Sequence, residues 1–344
     1  MKKFFSILAL MAVSAAQIHA IEFDEGIFHY ATINDVDNDV KVSLIAGSTV
    51  PADLEIPTEV TFLGKTYTVT HLAGWMFSKN ENLQSVKLPE RMTTFEYAVF
   101  EDCINLKTVI LPESLKWIGK YCFIRCSSLD NVIIPEGVTF IGQDAFTNCT
   151  ALNEIRIPDS VTTLENNAFT GAGIKKIVFG SGISEIPVGS CAWCTKLTDI
   201  VIPDNIKTIK PNAFEQAISL TRINVGAPDV IFINAFLDCT NLKEIEVKTT
   251  VPPICVEESF PETTYNGTLL VPTEECIATY KADEVWGKFA TIKVTNGSGV
   301  EDIVSDDNLN GKVYNLQGIY VSDDIKNVTT PGVYVTNGKK VIIK

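Results

Sequence analysis

The chain has 344 residues, and its 28 basic and 42 acidic side chains give a formal net charge of −14. Hydrophobic residues make up 46% of the sequence, which is enough to build a folded core and excludes wholesale disorder. The acidic balance argues against a nucleic-acid partner. With three histidines in all, the chain also has little material for a catalytic zinc site.

Residues 1–20 have the pattern of a secretory signal peptide. Lys2 and Lys3 form a positive start, and an apolar run from Phe4 to Val13 follows. Small residues then lead to two candidate cleavage sites, after Ala16 and after Ala20. The apolar run is too short to span a bilayer, and no other stretch is apolar enough to do so. We therefore expect an exported, water-soluble mature protein that is secreted or held at the cell surface, with no transmembrane segment.

Residues 21–56 are predicted to form an N-terminal β cap. Phe28 to Ile33 and Val40 to Ile45 alternate like two strands, joined by the acidic segment from Asn34 to Asp39. Part of this segment, Asp35 to Asp39, resembles the start of a calcium loop. Val40 stands where that loop needs Gly, and Ala46 stands where it needs Glu, so a solvated turn is the better interpretation.

A repeat of 22–23 residues dominates residues 57–295 and predicts a solenoid. Apolar anchors recur at this spacing, and a Phe precedes most of them by six residues. The anchors are Leu83, Leu106, Leu129, Leu152, Ile174, Leu197, Leu220 and Leu242. In the copy from Leu129 to Leu152, Val132 and Ile134 should point inward from a short strand and Ile133 outward. Each coil leaves apolar edges that a neighbouring coil must cover, so stacking builds one core with a cap at each end.

The pattern resembles the BspA-like leucine-rich repeats of bacterial surface proteins. The resemblance is carried by Ile-Pro steps such as Ile134-Pro135, by Ala-Phe pairs such as Ala145-Phe146, and by Cys-x-x-Leu ends such as Cys149 to Leu152. It implies a mostly β solenoid in which residues 56–70 insert a hairpin into the first repeat and residues 251–289 form a closing cap. It also implies a cell-surface protein that adheres to host matrix proteins, other cells or other bacteria.

The C-terminal part differs from the repeats. Residues 296–311 form a polar linker, and residues 312–344 predict short β-hairpins, with Asn337-Gly338 as a favoured turn. This tail resembles the end of the C-terminal sorting domains that type IX secretion recognises, which implies attachment to the outer membrane. A terminal β-module that only caps or spaces the chain is the alternative.

Nine cysteines in an exported chain normally suggest disulfides, but the repeat explains most of them. One column of the repeat, three residues before the anchor, holds Cys103, Cys126, Cys149, Cys194 and Cys239. Gly171 and Ala217 fill the same column elsewhere, so it selects small side chains, and we expect buried free thiols there. Cys191 and Cys194 form a Cys-x-x-Cys pair without partner ligands for zinc. Cys255 and Cys276, in the closing cap, are the pair to test for a bridge.

The outward side of the repeat strands, which we call the strand face, is the candidate binding surface. Its central positions are Lys87, Ile110, Ile133, Arg156, Val178, Val201, Asn224 and Glu246. Four of these eight are apolar and β-branched, which suits a docking stripe, although such residues favour strands in any case. No aromatic residue occupies these positions.

The sequence predicts a binding protein without a cofactor or an active site. It contains no nucleophile elbow and no phosphate-binding loop. His71, just before Leu72, is expected to point into the core, and Asp159-Ser160-Val161 fits a short bacterial O-glycosylation pattern. Adhesion to an extracellular protein through the strand face is the leading hypothesis. The alternatives are a surface glycan-binding or scaffold protein and a hydrolase that uses two carboxylates.

Overall fold

The predicted leucine-rich-repeat solenoid is confirmed by the computed structural model, which is mostly β and winds through about ten turns. The structure describes residues 20–34 and 38–295, together with the backbone of four strands in the C-terminal tail. The predicted signal peptide, the turn at residues 35–37 and the linker lie almost wholly outside the described residues. The chain divides into two compact units at residues 293 and 294.

The strands of the first part of the chain are short. In chain order they are β1 (Glu22–Glu25), β2 (Phe28–Thr32), β3 (Asp39–Leu44), β4 (Asp53–Glu55), β5 (Glu59–Phe62), β6 (Lys65–Leu72), β7 (Ser85–Lys87), β8 (Thr94–Phe95), β9 (Thr108–Val109), β10 (Trp117–Ile118), β11 (Phe140–Ile141) and β12 (Glu154–Arg156). They continue as β13 (Thr163–Leu164), β14 (Lys176–Val178), β15 (Glu185–Ile186), β16 (Asp199–Ile202), β17 (Thr208–Ile209), β18 (Arg222–Val225), β19 (Val230–Ile231), β20 (Glu244–Val247), β21 (Ile254–Cys255), β22 (Thr268–Val271) and β23 (Thr291–Val294).

Each coil has three sides, two of them sheets. The strand face carries three parallel stretches of sheet, β4-β7-β9, β12-β14 and β16-β18-β20-β22, and β23 follows β22. A second sheet runs from the N-terminal cap through β3, β6, β8, β10, β11 and β13, and β15-β17-β19-β21 continues the series. Proline ends the strand-face segment in coils such as that of Pro135, because proline cannot donate to the ladder.

The third side is a run of turns, which we call the turn edge, and residues 143–148 form it in one coil. Two residues of each turn have positive φ, for example Asp144 (55°) and Asn148 (59°). Alternate N–H groups donate to the next coil: Phe146 N–H bonds the Ala168 carbonyl at 2.7 Å, and Asn148 N–H bonds the Thr170 carbonyl at 2.8 Å. The turns thereby stack in register, although they are not strands.

The core consists of columns that repeat from coil to coil. All eight anchors are buried, and stacked phenylalanine rings run beside them with centroids 5.1–5.5 Å apart. The ladder joins Phe77, Phe100, Phe123, Phe146 and Phe169, and resumes from Phe214 to Phe236 and Phe260. Cys191 takes the ring's place between the two runs.

Both ends of the solenoid are covered. At the N-terminal end, β1, β2 and β3 form an antiparallel meander, and β3 pairs in parallel with β6. The two strands expected from the alternation at residues 28–33 and 40–45 are present, and β5 pairs with β6 as the inserted hairpin.

The closing cap contains one α-helix and short 3-10 turns. They are α1 (Glu274–Lys281) and the 3-10 turns Glu257–Ser259, Glu262–Asn266 and Trp286–Lys288. Tyr280 and Trp286 are fully buried there, and the indole Nε1 of Trp286 donates to the Pro253 carbonyl at 2.9 Å.

The C-terminal unit contains a four-stranded antiparallel sheet in the order β25-β24-β26-β27. Its strands are β24 (Val313–Asn315), β25 (Tyr320–Ser322), β26 (Gly332–Thr336) and β27 (Lys339–Ile343). β26 and β27 pair as the hairpin that the sequence predicts, whereas Asn337-Gly338 lies outside the described residues.

The prediction that His71 points into the core is wrong. Leu72 is fully buried, and because side chains alternate along β6, His71 lies on the outer side beside Thr94. Its Nδ1 atom is 3.0 Å from the Thr70 hydroxyl. Partial burial lowers the pKa of His71, and this outweighs the negative charges of Glu96 and Asp39, which raise it.

Candidate ligand-binding face

Strand alternation turns all eight central residues of the strand face away from the core. In one coil, Val132 and Ile134 are buried, whereas Ile133 between them is 77% exposed. The central residues Lys87, Ile110, Ile133, Arg156, Val178, Val201, Asn224 and Glu246 are all exposed or half-buried. They form one row along the solenoid, with one side chain from each coil.

The two ends of this row are polar and internally paired. At the N-terminal end, Lys87 Nζ lies 2.6 Å from Glu55 Oε1. At the other end, Asn224 Nδ2 donates to Glu246 Oε2 at 3.0 Å, and Arg222 Nη2 reaches the same carboxylate at 3.0 Å. These groups hold one another, so a partner that docked there would have to replace existing hydrogen bonds.

The middle of the row is apolar. Ile110 and Ile133 lie in adjacent coils and are 76% and 77% exposed. Between their coils the strand-face ladder is reduced to an isolated bridge from Thr108 to Asn131. Covering such side chains with a partner removes apolar surface from water, which is the main favourable contribution in most protein association.

The predicted stripe of four apolar residues is divided into two pairs by Arg156. Arg156 lies between Ile133 and Val178, and its guanidinium pairs with Glu136 and lies 3.8 Å from Asp159. Val178 is half-buried and Val201 is exposed in the following coils. We call Ile110 and Ile133 the isoleucine patch, since they are the most exposed apolar pair of the row.

Aromatic residues that the repeat pattern did not single out lie at the surface, away from the strand face. On the second sheet, the rings of Trp117 and Phe140 stack with centroids 3.6 Å apart. On the turn edge, the ring centroids of Trp75 and Tyr97 are 4.8 Å apart, and those of Tyr97 and Tyr121 are 5.1 Å apart. We call these last three the aromatic ladder. The period itself would have paired Trp117 with Phe140, because they are 23 residues apart.

The cysteines are free thiols, and all but Cys255 are buried. In the repeat column, Cys149 Sγ donates to the Phe123 carbonyl at 3.1 Å, and its counterparts make the same bond. Burial raises the pKa of Cys103 and of Cys239 to about 12. Reactive cysteines need a lowered pKa, so these thiols are structural.

The Cys-x-x-Cys pair has the same character. Cys191 and Cys194 are both buried in the core. A hydrogen bond to Cys194, together with burial, raises the pKa of the Cys191 thiol well above its usual range. Within residues 20–34 and 38–295, no group of three or more His, Cys, Asp or Glu side chains is arranged to hold a metal ion.

Two carboxyl groups have a lowered pKa, which is the opposite of what a general acid needs. The hydrogen bond from Arg125 lowers the pKa of Asp102, and the Thr273 hydroxyl lowers that of Glu275. A general acid in a carboxylate pair needs a raised pKa. Neither group therefore supports the hydrolase alternative.

Ser160, the predicted glycosylation acceptor, has a structural hydrogen bond. Its hydroxyl donates to the Val138 carbonyl at 2.7 Å, and the residue is half-buried. Ser114, two coils earlier, makes the equivalent bond to the Met92 carbonyl at 2.6 Å. The hydroxyl thus fastens one coil to the next, which disfavours its modification in the folded protein.

Comparison with known proteins identifies the repeat. The family profile described as "BspA type Leucine rich repeat region" matches six copies over residues 57–173 and 162–265. No curated protein sequence matches the chain significantly. Within the described residues, no helix is long and apolar enough to cross a membrane.

Three solved structures are similar to this chain to different degrees. A leucine-rich repeat protein from Bacteroides ovatus is 22% identical, covers 79% of this chain and 76% of its own, and superposes with a TM-score of 0.59. The T. pallidum leucine-rich repeat protein is 22% identical over 64% of this chain and 91% of its own, with a TM-score of 0.45. The pneumococcal vaccine antigen PcpA is 17% identical over 80% of this chain and 99% of its own, with a TM-score of 0.37.

Proposed function

Because the chain belongs to the BspA-type leucine-rich repeat family, we propose that it is an exported adhesin that binds an extracellular protein through the strand face. The family supports a repeat-based binding role. The partner class, a host matrix protein or another cell surface, follows from the resemblance to surface proteins of this kind. Export rests on the signal-peptide pattern of residues 1–20, and fractionation of the producing cells checks it.

The observation that carries the strand-face proposal is the isoleucine patch. Two β-branched side chains from adjacent coils are about three-quarters exposed, while the polar residues at both ends of the row are paired with one another. Interfaces concentrate their binding energy in a small central cluster surrounded by near-neutral contacts. The isoleucine patch is such a cluster, flanked by the Lys87–Glu55 pair on one side and the Arg156–Glu136 pair on the other.

Attachment at the surface is the second element of the proposal. The antiparallel tail β24–β27 suits a sorting domain of the type IX kind, which would leave the solenoid displayed outside the cell. A fusion of residues 296–344 to a periplasmic reporter in a type IX-secreting host tests this role. Export of the reporter to the surface supports it, and periplasmic retention contradicts it.

The experiment for binding uses the full mature chain, residues 21–344, on immobilised fibrinogen and fibronectin. We expect saturable binding that Ile133→Glu weakens at least about tenfold, because a buried unpaired carboxylate costs more than 1.4 kcal/mol. Ile254→Glu is the matched control, since Ile254 is β-branched and 69% exposed on the second sheet.

Two outcomes contradict the proposal. Binding that Ile133→Glu and Ile254→Glu weaken equally would mean that the isoleucine patch has no special role. An absence of saturable binding to both matrix proteins and to cultured epithelial cells would remove the adhesion hypothesis, while the fold would stand.

A further inference from the structure

The aromatic ladder lies on the turn edge of the first coils, on a different side of the solenoid from the isoleucine patch. Trp75, Tyr97 and Tyr121 come from three consecutive coils and stand in a row. Trp75 is 60% exposed, and the tilted rings leave parts of their faces open to solvent. The row therefore presents one aromatic ring per coil along the solenoid axis.

Folding does not account for aromatic residues at two of these positions. Trp75 and Tyr121 have φ values of 57° and 60°, in the left-handed region that disfavours bulky side chains. The other members of this turn column are Ala98, Asp144, Asn167, Gly189, Asn212 and Asn234. Most of these are Asn, Asp or Gly, which tolerate the conformation. Trp75 gains little burial in exchange, so its ring is placed at a conformational cost that the core does not offset.

The two lysines beside the ladder are paired with carboxylates. Glu96, which precedes Tyr97, is 3.2 Å from Lys41 Nζ and accepts the Gly74 N–H at 3.0 Å. Lys120, which precedes Tyr121, is 3.2 Å from Glu165. The Asp144 carboxylate near Tyr121 accepts neutral hydrogen bonds from the Gln143 amide and the Thr147 hydroxyl. The ladder thus offers a partner aromatic faces, phenolic hydroxyls and acceptor oxygens.

Two backbone donors at the ladder are engaged. The N–H of Trp75 bonds the Tyr97 carbonyl, and the N–H of Tyr121 bonds the Gln143 carbonyl, both at 2.8 Å. A proline-rich peptide also docks on aromatic-lined grooves, and it is the competing ligand that the experiment below separates from a sugar. A sugar presents hydroxyls, which donate to carboxylate and phenolic oxygens, and a pyranose ring also has an apolar face of C–H groups.

We propose that the aromatic ladder binds a neutral polysaccharide, whose pyranose rings stack on Trp75 and Tyr97. Tyr121 extends the platform by one coil, and Gln143, whose Nε2 is 3.3 Å from the Tyr121 hydroxyl, supplies a polar contact at its end. A row with one ring per coil matches a linear polymer better than a single sugar, because successive residues of the polymer meet successive rings. The binding is independent of the strand face and goes beyond protein adhesion.

The experiment is affinity electrophoresis of residues 21–344 in gels containing hydroxyethylcellulose, xylan, mannan or soluble starch. Heparin and a proline-rich peptide serve as the charged and peptide probes. We expect retardation by at least one neutral polysaccharide, and Trp75→Ala and Tyr97→Ala should each weaken it about tenfold or more. Trp193→Ala is the matched control, because Trp193 also has positive φ (61°) and is 52% exposed, but stands outside the ladder.

Retardation by no neutral polysaccharide, or equal weakening by Trp193→Ala, would overturn the proposal. So would binding only to heparin or only to the proline-rich peptide. Trp75→Asn provides a variant whose fold is safe, since asparagine occupies the same turn column at Asn167, Asn212 and Asn234. Ile133→Glu should leave polysaccharide binding unchanged, so failure of the strand-face proposal and failure of this one remain distinguishable.

Discussion

The inside and the outside of this solenoid are built from the same repeat but follow different rules. Inward columns hold nearly the same residue in coil after coil, as in the phenylalanine ladder from Phe77 to Phe169. The outward row on the strand face changes from Lys87 to Ile133 to Glu246 over eight coils. Stacking constrains the inside, because each ring must fit its neighbours, whereas the outside is free to acquire binding chemistry.

The largest effect that tests this comparison is the removal of an inward ring. Phe146 is fully buried between Phe123 and Phe169, with centroids 5.2 Å and 5.5 Å away. Phe146→Ala should lower the free energy of unfolding by about 3–5 kcal/mol, through lost burial and the cavity that remains. Urea titration followed by circular dichroism measures it.

Phe140→Ala is the control for that substitution. Phe140 is only half-buried and stacks outside the core on Trp117. Its removal should cost about 1–3 kcal/mol, from the aromatic pair together with roughly half the burial of a Phe side chain. Equal costs for Phe146→Ala and Phe140→Ala would mean that the inside is no more constrained than the outside.

The inward columns were predictable from the sequence because their chemistry repeats. The anchors, the Ala-Phe pairs and the cysteine column each recur at 22–23 residues, so the solenoid and its buried residues follow from one period. His71 was misplaced although the period reaches it: it lies 23 residues before Thr94, in an outward column that continues at Trp117 and Phe140. The pairing of β6 with β3 shifts register beside Thr70, which interrupts the alternation, so Val69, Thr70 and Leu72 are all buried and His71 lies outward.

The aromatic ladder was not predictable from the same period. Trp75 and Tyr121 share a column two repeats apart, but Tyr97 occupies the neighbouring column of Lys120 and Gln143. The rings meet because a turn brings two adjacent columns together on its outer corner, which a spacing rule does not express. On the strand face, strand alternation predicted the row of eight residues. The pairs that the polar residues form at its two ends could not be predicted from the sequence.

The next largest effect is a loss of folding stability at alkaline pH, caused by the inward cysteine column. Burial raises the pKa of Cys103 and Cys239 from the usual value near 9 to about 12 in the folded protein. The stability from the buried neutral thiols is fully present below pH 9 and is lost as the pH rises from 9 toward 12, because the unfolded chain releases these protons first. Each thiol contributes about 1.4 kcal/mol to the loss per pH unit within that window.

Urea titrations at a series of pH values from 8 to about 11 measure this loss. The double variant Cys103→Ala and Cys239→Ala should have a shallower decline, and Ala217 shows that alanine fits the column. The single variant Cys255→Ala should flatten the decline about half as much, since burial raises the pKa of this one thiol to about 12 as well. A pH dependence that is the same in the double variant and in the wild type would contradict the assignment to buried thiols.

The smallest effect concerns the turn edge and separates stability from binding. Trp75→Asn removes a bulky residue from the left-handed region, where it costs about 1–2 kcal/mol. It also removes the ring contact with Tyr97, worth about 0.5–1.5 kcal/mol. These two changes oppose each other, so the free energy of unfolding should stay within about 1 kcal/mol of wild type or rise slightly.

Trp193→Asn tests the conformational part of this balance alone, because Trp193 has the same positive φ and none of the ladder's ring contacts with Tyr97. It should stabilise the protein more than Trp75→Asn does, and thermal unfolding of both variants beside wild type measures the difference. If Trp75→Asn instead lost several kcal/mol, the ring would be part of the folded structure's support and its conformational cost would already be offset. A neutral or stabilising Trp75→Asn means that the outside of the solenoid keeps an aromatic residue that folding does not require, which is the condition for assigning that residue to a ligand.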